Sequence, residues 1–164
     1  MKILVMSDSH SSLRFMRRAI AVVKPSAVVH LGDYAEDGQT LAEENPQLPF
    51  HIVGGNCDRH RDGMYREMLC YQVCGVKLLM VHGHNHHVKS SLFSLLQDAR
   101  VQGVDAVLFG HTHVPYCQKE PDGLVVFNPG SCASDSGSVG LLETEDGKIK
   151  SCRILQQDDL EGFL

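Results

Sequence analysis

Five short apolar runs in this chain each stop at a polar segment that carries Asp, Asn or His. Residues 3–6 run into Asp8-Ser9-His10, residues 27–31 into Gly32-Asp33, and residues 50–53 into Gly55-Asn56-Cys57-Asp58. Residues 76–81 meet His82-Gly83-His84, and residues 106–109 meet Gly110-His111-Thr112-His113. Short, largely apolar runs of this kind read as strands buried on both faces, which need helices to cover them. Residues 13–23 supply one, with Leu13, Met16, Ile20 and Val23 on a single stripe. Residues 40–44 suggest a short second helix ending before Pro46, and residues 90–101 a third, with Leu92, Leu95, Leu96 and Ala99 as core. Residues 69–73 and 76–81 flank Cys74-Gly75 as a hairpin. Strands are then expected at 114–118, 124–127, 138–143 and 148–155, with turns at Pro121-Asp122-Gly123 and Glu145-Asp146-Gly147. The expected architecture is α/β with a β-rich second half, one domain over residues 1–164.

Composition narrows the function classes. The 164 residues suffice for one self-sufficient core. Fifteen Lys and Arg against 20 Asp and Glu give a formal charge of -5 with no basic block, which argues against a nucleic-acid binder. No apolar run approaches the roughly 18 to 20 residues of a membrane span. The first six residues carry one Lys and an apolar stretch of four, too short for the core of a signal peptide. The six Cys form no CxxC pair and are expected as free thiols, consistent with a cytoplasmic location. The unusual entry is histidine: ten in so short a chain exceed what a core needs.

In open α/β sheets the carboxyl ends of the strands form the ligand crevice. Asp8, His10, Asp33, Asn56, His82, His111 and His113 are therefore expected along one edge of one sheet. Mixed imidazole and carboxylate donors suit Mn, Fe, Co, Ni or Zn, whereas an all-oxygen set would suit Mg or Ca. Seven donors are too many for one such ion, while two ions roughly 3.5 to 4 Å apart would use them, sharing one carboxylate. Asp33 is the expected bridge, on the expectation that its strand lies centrally in the sheet.

The segments Asp8-x-His10, Gly32-Asp33, Gly55-Asn56, His82-Gly83 and Gly110-His111-x-His113, in that order, resemble the calcineurin-like metallophosphoesterase superfamily. Their spacing is similar to its small prokaryotic phosphodiesterase branch, as is Asn128-Pro129-Gly130-Ser131. The resemblance implies a four-layer α/β/β/α sandwich with mixed sheets and a dinuclear centre. It implies one ion on Asp8, His10, Asp33 and His113, and a second on Asp33, Asn56, His82 and His111. The ions would be two divalent transition metals, manganese first, with nickel, cobalt, iron or zinc as alternatives. A metal-bridging hydroxide would be the nucleophile. Many members follow the Asn with a His, and here that position is Cys57. The general acid is thus unassigned; His84 is the nearest candidate, and His84 and Asn56 are the expected catalytic residues. Substrates with acidic leaving groups should be cleaved more easily than alkyl esters.

Other polar residues invite plainer readings. His30 reads as a core imidazole or one that supports the site, His51 as structural, and His60 as part of a solvated loop. His86 and His87 either bind stray metal or line the mouth of the site. Asp58 reads as a turn residue, Arg17 and Arg18 as a solvated helix face, and Cys57 as packing rather than nucleophile. The function expected is hydrolysis of a small phosphoester, with a homo-oligomer possible and no membrane partner. The alternatives are a non-catalytic scaffold of the same fold, as in a eukaryotic retromer subunit, or a phosphomonoesterase or nuclease. Two divalent ions would bring the formal charge from -5 to about -1 and concentrate positive charge where a phosphate would bind.

Overall fold

The computed structural model describes residues 1–61, 63–134 and 136–162, and for residues 59–61 the backbone only. The first half builds β1 (Lys2–Met6), α1 (Leu13–Val23), β2 (Ala27–His30), α2 (Ala35–Glu44) and β3 (Phe50–Ile52). Then come the hairpin β4 (Met68–Val73) and β5 (Val76–Val81), α3 (Phe93–Gln102) and β6 (Ala106–Leu108). The chain continues through β7 (Tyr116–Lys119), β8 (Val125–Asn128), β9 (Ser138–Glu145), β10 (Lys148–Gln156) and α4 (Gln157–Glu161).

These strands form two five-stranded sheets, ordered β10-β9-β1-β2-β3 and β4-β5-β6-β8-β7. In the first, β1, β2 and β3 run parallel and β9 pairs antiparallel to β1. In the second, β5, β6 and β8 run parallel, flanked by antiparallel β4 and β7. Alternation along each strand sorts the core into layers. Ile3, Val5 and Val29 face Leu78, Met80, Leu108 and Phe127 between the sheets. Leu4, Met6 and Val28 point the other way, onto Phe15, Met16 and Ile20 of α1. Leu79, Val107 and Val126 meet Leu95 and Ala99 of α3 on the far side. Helices, sheet, sheet and helix therefore stack as the four-layer α/β/β/α sandwich, with mixed sheets.

Several expectations are corrected. The strand ends belong to two facing sheets, not one. Helix α2 begins at Ala35 rather than Thr40, and α3 at Phe93 rather than Ser90. Helix α4 was not anticipated; Gln156 and Asp159 close a capping box at its start. Cys117 of β7 and Cys152 of β10 are paired as a disulfide, against the expectation of free thiols, while Cys57, Cys70, Cys74 and Cys132 are free. The pair lies 35 residues apart in sequence, on edge strands of different sheets that the sandwich brings together. No helix among the described residues is long and apolar enough to cross a membrane.

Candidate metal centre

The carboxyl ends of β1, β2, β3, β5 and β6 converge where the two sheets face each other. Donor atoms of Asp8, His10, Asp33 and His113 lie within 4.8 Å of one another, as do those of Asp33, His82 and His111. Asp33 belongs to both groups, though not for the expected reason. The central strand of its sheet is β1, and β2 lies next to the edge strand β3. Asp33 is shared because the end of β2 faces the end of β5 in the other sheet. His82 Nδ1 donates to Leu31 O at 2.8 Å, which turns Nε2 towards Asp33 Oδ2 at 3.4 Å and His111 Nδ1 at 3.2 Å. That backbone bond leaves Nε2 as the nitrogen available to a cation.

The first group is held equally firmly. Asp8 is fully buried; its Oδ2 accepts from Ser7 Oγ at 2.6 Å and from the His111 amide at 3.1 Å. Its Oδ1 lies 3.1 Å from His113 Nε2. The His10 ring packs on Tyr34, centroids 5.0 Å apart. Asp33 Oδ1 accepts the Cys57 amide at 2.9 Å, which draws the Asn56 loop onto the same carboxylate. Asn56 Oδ1 is buried with no hydrogen-bond partner among the described residues. A buried amide oxygen without a donor is costly unless a cation or water completes it. Donor chemistry, the shared carboxylate and this orphaned oxygen all fit a pair of metal ions.

Backbone strain marks the same place. Asp8, His10, Asp33, His111 and His113 have φ between 46° and 67°, a left-handed conformation that ordinary residues adopt at a cost. Two glycines make room for it. At Gly32, φ 93°, a Cβ would stand 2.5 Å from the Gly55 nitrogen. At Gly110 it would strike Ser7 Oγ and come within 2.9 Å of Asp8 Oδ2.

Supporting bonds run behind the donors. Ser9 Oγ donates to Asp37 Oδ2 at 2.6 Å and lies 3.0 Å from His30 Nε2. The Gly32 amide donates to His30 Nδ1 at 3.2 Å, so Nε2 carries the proton and donates to Ser9. Asp58 accepts from the Ala35 amide at 2.9 Å and the Gly55 amide at 2.7 Å, joining α2 to the Asn56 loop. Asn128 Nδ2 reaches Gly110 O and Thr112 Oγ1, and Ser131 Oγ donates to Asp8 O. Ser7, Ser9, Tyr34 and Asp37 carried no sequence signal beyond proximity to a donor.

Electrostatics follow from burial and proximity. Burial alone would raise the Asp33 carboxyl, but the His82 hydrogen bond and charge, with the Cys57 amide, take it well below the usual carboxylate range. Burial also works against a charged His82, and Asp33 and Asp8 outweigh it to raise its pKa. His111 is held down to about 4 by burial, then by the charges of His82 and Lys89. His30 is lowered to about 4 by burial. Desolvation and the Asp33 carboxylate push the Cys57 thiol up to about 11, and the residue is exposed, against the expected packing role.

The remaining histidines separate. His84 lies at the rim of the second group, its ring 5.5 Å from that of His82 and 6.2 Å from that of His111, with Nε2 3.7 Å from Glu67. His86 bonds Asp98 of α3 at 3.1 Å, a structural tie rather than a place in either donor group. His87 closes the turn after His84–His86 with φ 53°. His51 pairs with the Tyr71 hydroxyl at 2.8 Å, and Arg17 with exposed Glu44 at 2.6 Å. The His60 side chain lies outside what is described.

The sequence model for the calcineurin-like phosphoesterase superfamily domain matches residues 1–147. The probable metallophosphoesterase YsnB of Bacillus subtilis (strain 168) is 33% identical over 160 residues, 92% of this chain and 89% of that protein. Phosphodiesterase MJ0936 of Methanocaldococcus jannaschii is 28% identical over 164 residues, 88% of this chain and 94% of that protein. Among solved structures, a predicted phosphoesterase from Streptococcus pneumoniae TIGR4 superposes with a TM-score of 0.78 at 27% identity, covering 96% of this chain and 90% of that one. Vps29 of Entamoeba histolytica, complexed with zinc, superposes with a TM-score of 0.68 at 20% identity, covering 94% and 98%. That last likeness is one of fold alone.

Proposed function

Since the chain belongs to the calcineurin-like phosphoesterase superfamily, we propose that it is a metal-dependent phosphodiesterase acting on a small phosphoester at a dinuclear centre. The observation that carries this reading is Asp33, common to two donor groups, with the unpartnered Asn56 oxygen beside it. In this assignment Asp8, His10, Asp33 and His113 hold one ion, and Asp33, Asn56, His82 and His111 the other. Manganese is the first candidate, with nickel, cobalt, iron and zinc behind it. When bound, the ions supply charge stabilisation for phosphate oxygens and an acidified water, worth several kcal/mol.

The chain's own residues do the rest. Leu31 fixes the His82 ring so that one nitrogen faces the centre. Ser7 and the His111 amide hold the Asp8 carboxylate in one orientation. His84, at the rim, is the proposed donor to a phosphate oxygen. Cys57 stands where many members of the superfamily carry a His, which leaves the leaving group without an assigned acid, so esters with acidic leaving groups are the proposed substrates. Residues 1–164 act as one domain in this reading, in the cytoplasm and with a small molecule rather than nucleic acid as partner. The Cys117–Cys152 disulfide is at odds with that location.

A second reading, a non-catalytic scaffold, draws on the fold likeness to Vps29. The complete donor set favours the hydrolase.

The test is elemental analysis of the purified protein, followed by bis(p-nitrophenyl) phosphate turnover with Mn, Co, Ni, Zn and Mg. Up to two transition ions per chain are expected, with Mn-supported turnover. Asp33→Asn should lower that turnover by at least about 100-fold with the fold intact by circular dichroism. Undiminished turnover in this variant would remove the shared carboxylate from the assignment.

A further inference from the structure

Beside the metal centre, on the outer face of the second sheet, lies a groove of about 420 Å³. That volume falls within the roughly 300–1,000 Å³ of small-molecule sites. Its walls are Val88, Leu92, Phe109, Val114 and Tyr116, and Lys89 is the one charged residue among them. Three chain connections tie it to the centre. Thr112, also in the wall, stands between the candidate ligands His111 and His113. Phe109 immediately precedes Gly110-His111. Val88 packs against Gly83, the neighbour of His82, closely enough that a Cβ there would meet it at 2.8 Å.

The lining is unusual for an open surface. Val114 is 63% exposed, and no carboxylate contributes to the groove. Leu92 and Tyr116 are partly exposed, and Val88 and Phe109 are buried beneath them, so the groove has an apolar floor and an apolar rim. A concave apolar surface with a few polar groups beside it is the usual make-up of a ligand site. Lys89 lies near enough to the His111 imidazole for its charge to act there. An occupant with a negative charge towards the centre and an apolar body in the groove satisfies both ends. A phosphoester has that polarity.

We propose that this groove binds an apolar, aromatic ester group of the substrate, with Lys89 serving the anionic end. The proposal rests on reading the centre as a phosphoesterase site. It defines the substrate class as aryl or heteroaryl phosphodiesters, in preference to diesters of small alcohols or polyols. Val114 and Leu92 then set specificity without touching phosphorus.

Two non-hydrolysable monoanions test this: diphenylphosphinate and dimethylphosphinate, titrated calorimetrically into Mn-loaded protein. They share the phosphinyl group and differ only in the arms that can reach the groove. The wild type should bind the diphenyl compound at least about tenfold more tightly, the range one or two apolar contacts produce. Val114→Asn, an exposed and neutral change, should cut that ratio several-fold. Equal affinities in the wild type, or a ratio untouched by Val114→Asn, would overturn the groove assignment. Turnover of bis(p-nitrophenyl) phosphate in the same preparation separates the two ideas: turnover with equal affinities rejects the groove alone, whereas no turnover with any metal rejects the hydrolase reading beneath it.

Discussion

His30 is neutral by construction: it receives the Gly32 amide at one nitrogen and gives its proton to Ser9 from the other. Burial disfavours the charged imidazolium and lowers its pKa to about 4 from 6.5, and protonation would also break the Gly32 bond. The unfolded chain takes up this proton near pH 6.5, and the folded chain only near pH 4. Between those values the unfolded state binds more protons, so stability falls as pH falls, by about 3 kcal/mol over the whole interval. Urea unfolding of metal-free protein at pH 7.5 and 4.5 should show that loss, and His30→Gln should show less of it. An equal loss in the variant would mean that His30 is not the buried neutral group. The candidate donors stand out in sequence because Asp and His at the ends of apolar runs are chemically conspicuous, and the fold brings six of them into two groups. Their support was not legible there, since His113 finds Asp8 across 105 positions and Ser131 finds it across 123. The left-handed backbone of these residues was also hidden, because Asp and His adopt positive φ more often than most residues but still in a small minority of cases.

Elements with a strong internal period were readable and those that owe their shape to distant partners were not. Helix α1 matches its apolar stripe, and the β4–β5 hairpin its Cys74-Gly75 turn. The first turn of α2 instead contains Gly38 and a buried Asp37, both poor helix formers. It forms because Asp58 accepts the Ala35 amide and Asp37 accepts from Ser9 and from the Ser11 amide. The disulfide is a relation between elements too, joining the outer strand of one sheet to that of the other. Thiol titration of denatured, unreduced protein should therefore find four reactive cysteines, and six would mean that β7 and β10 are held without the bond.

For the molecule as a whole, the family resemblance gave the four layers, whereas strand-end reasoning alone placed every donor on one sheet. The difference matters. Asp8, His10, Asp33 and Asn56 hang from the first sheet, and His82, His111 and His113 from the second. Any ion held by Asp33 with His82, or by Asp8 with His113, is bonded to both. Manganese should therefore slow amide hydrogen exchange at the ends of β1, β2, β5 and β6 facing the centre. It should leave the Cys74-Gly75 and Asp146-Gly147 turns, at the other end of the sandwich, unchanged. Uniform slowing over both ends would point to global stabilisation instead. The split donor set also turns a chemical quantity into a temporal one. Strand ends that separate only when an ion leaves can open no faster than that ion dissociates, so in metal-loaded protein the residence time of the ion would set the pace of any opening between the sheets.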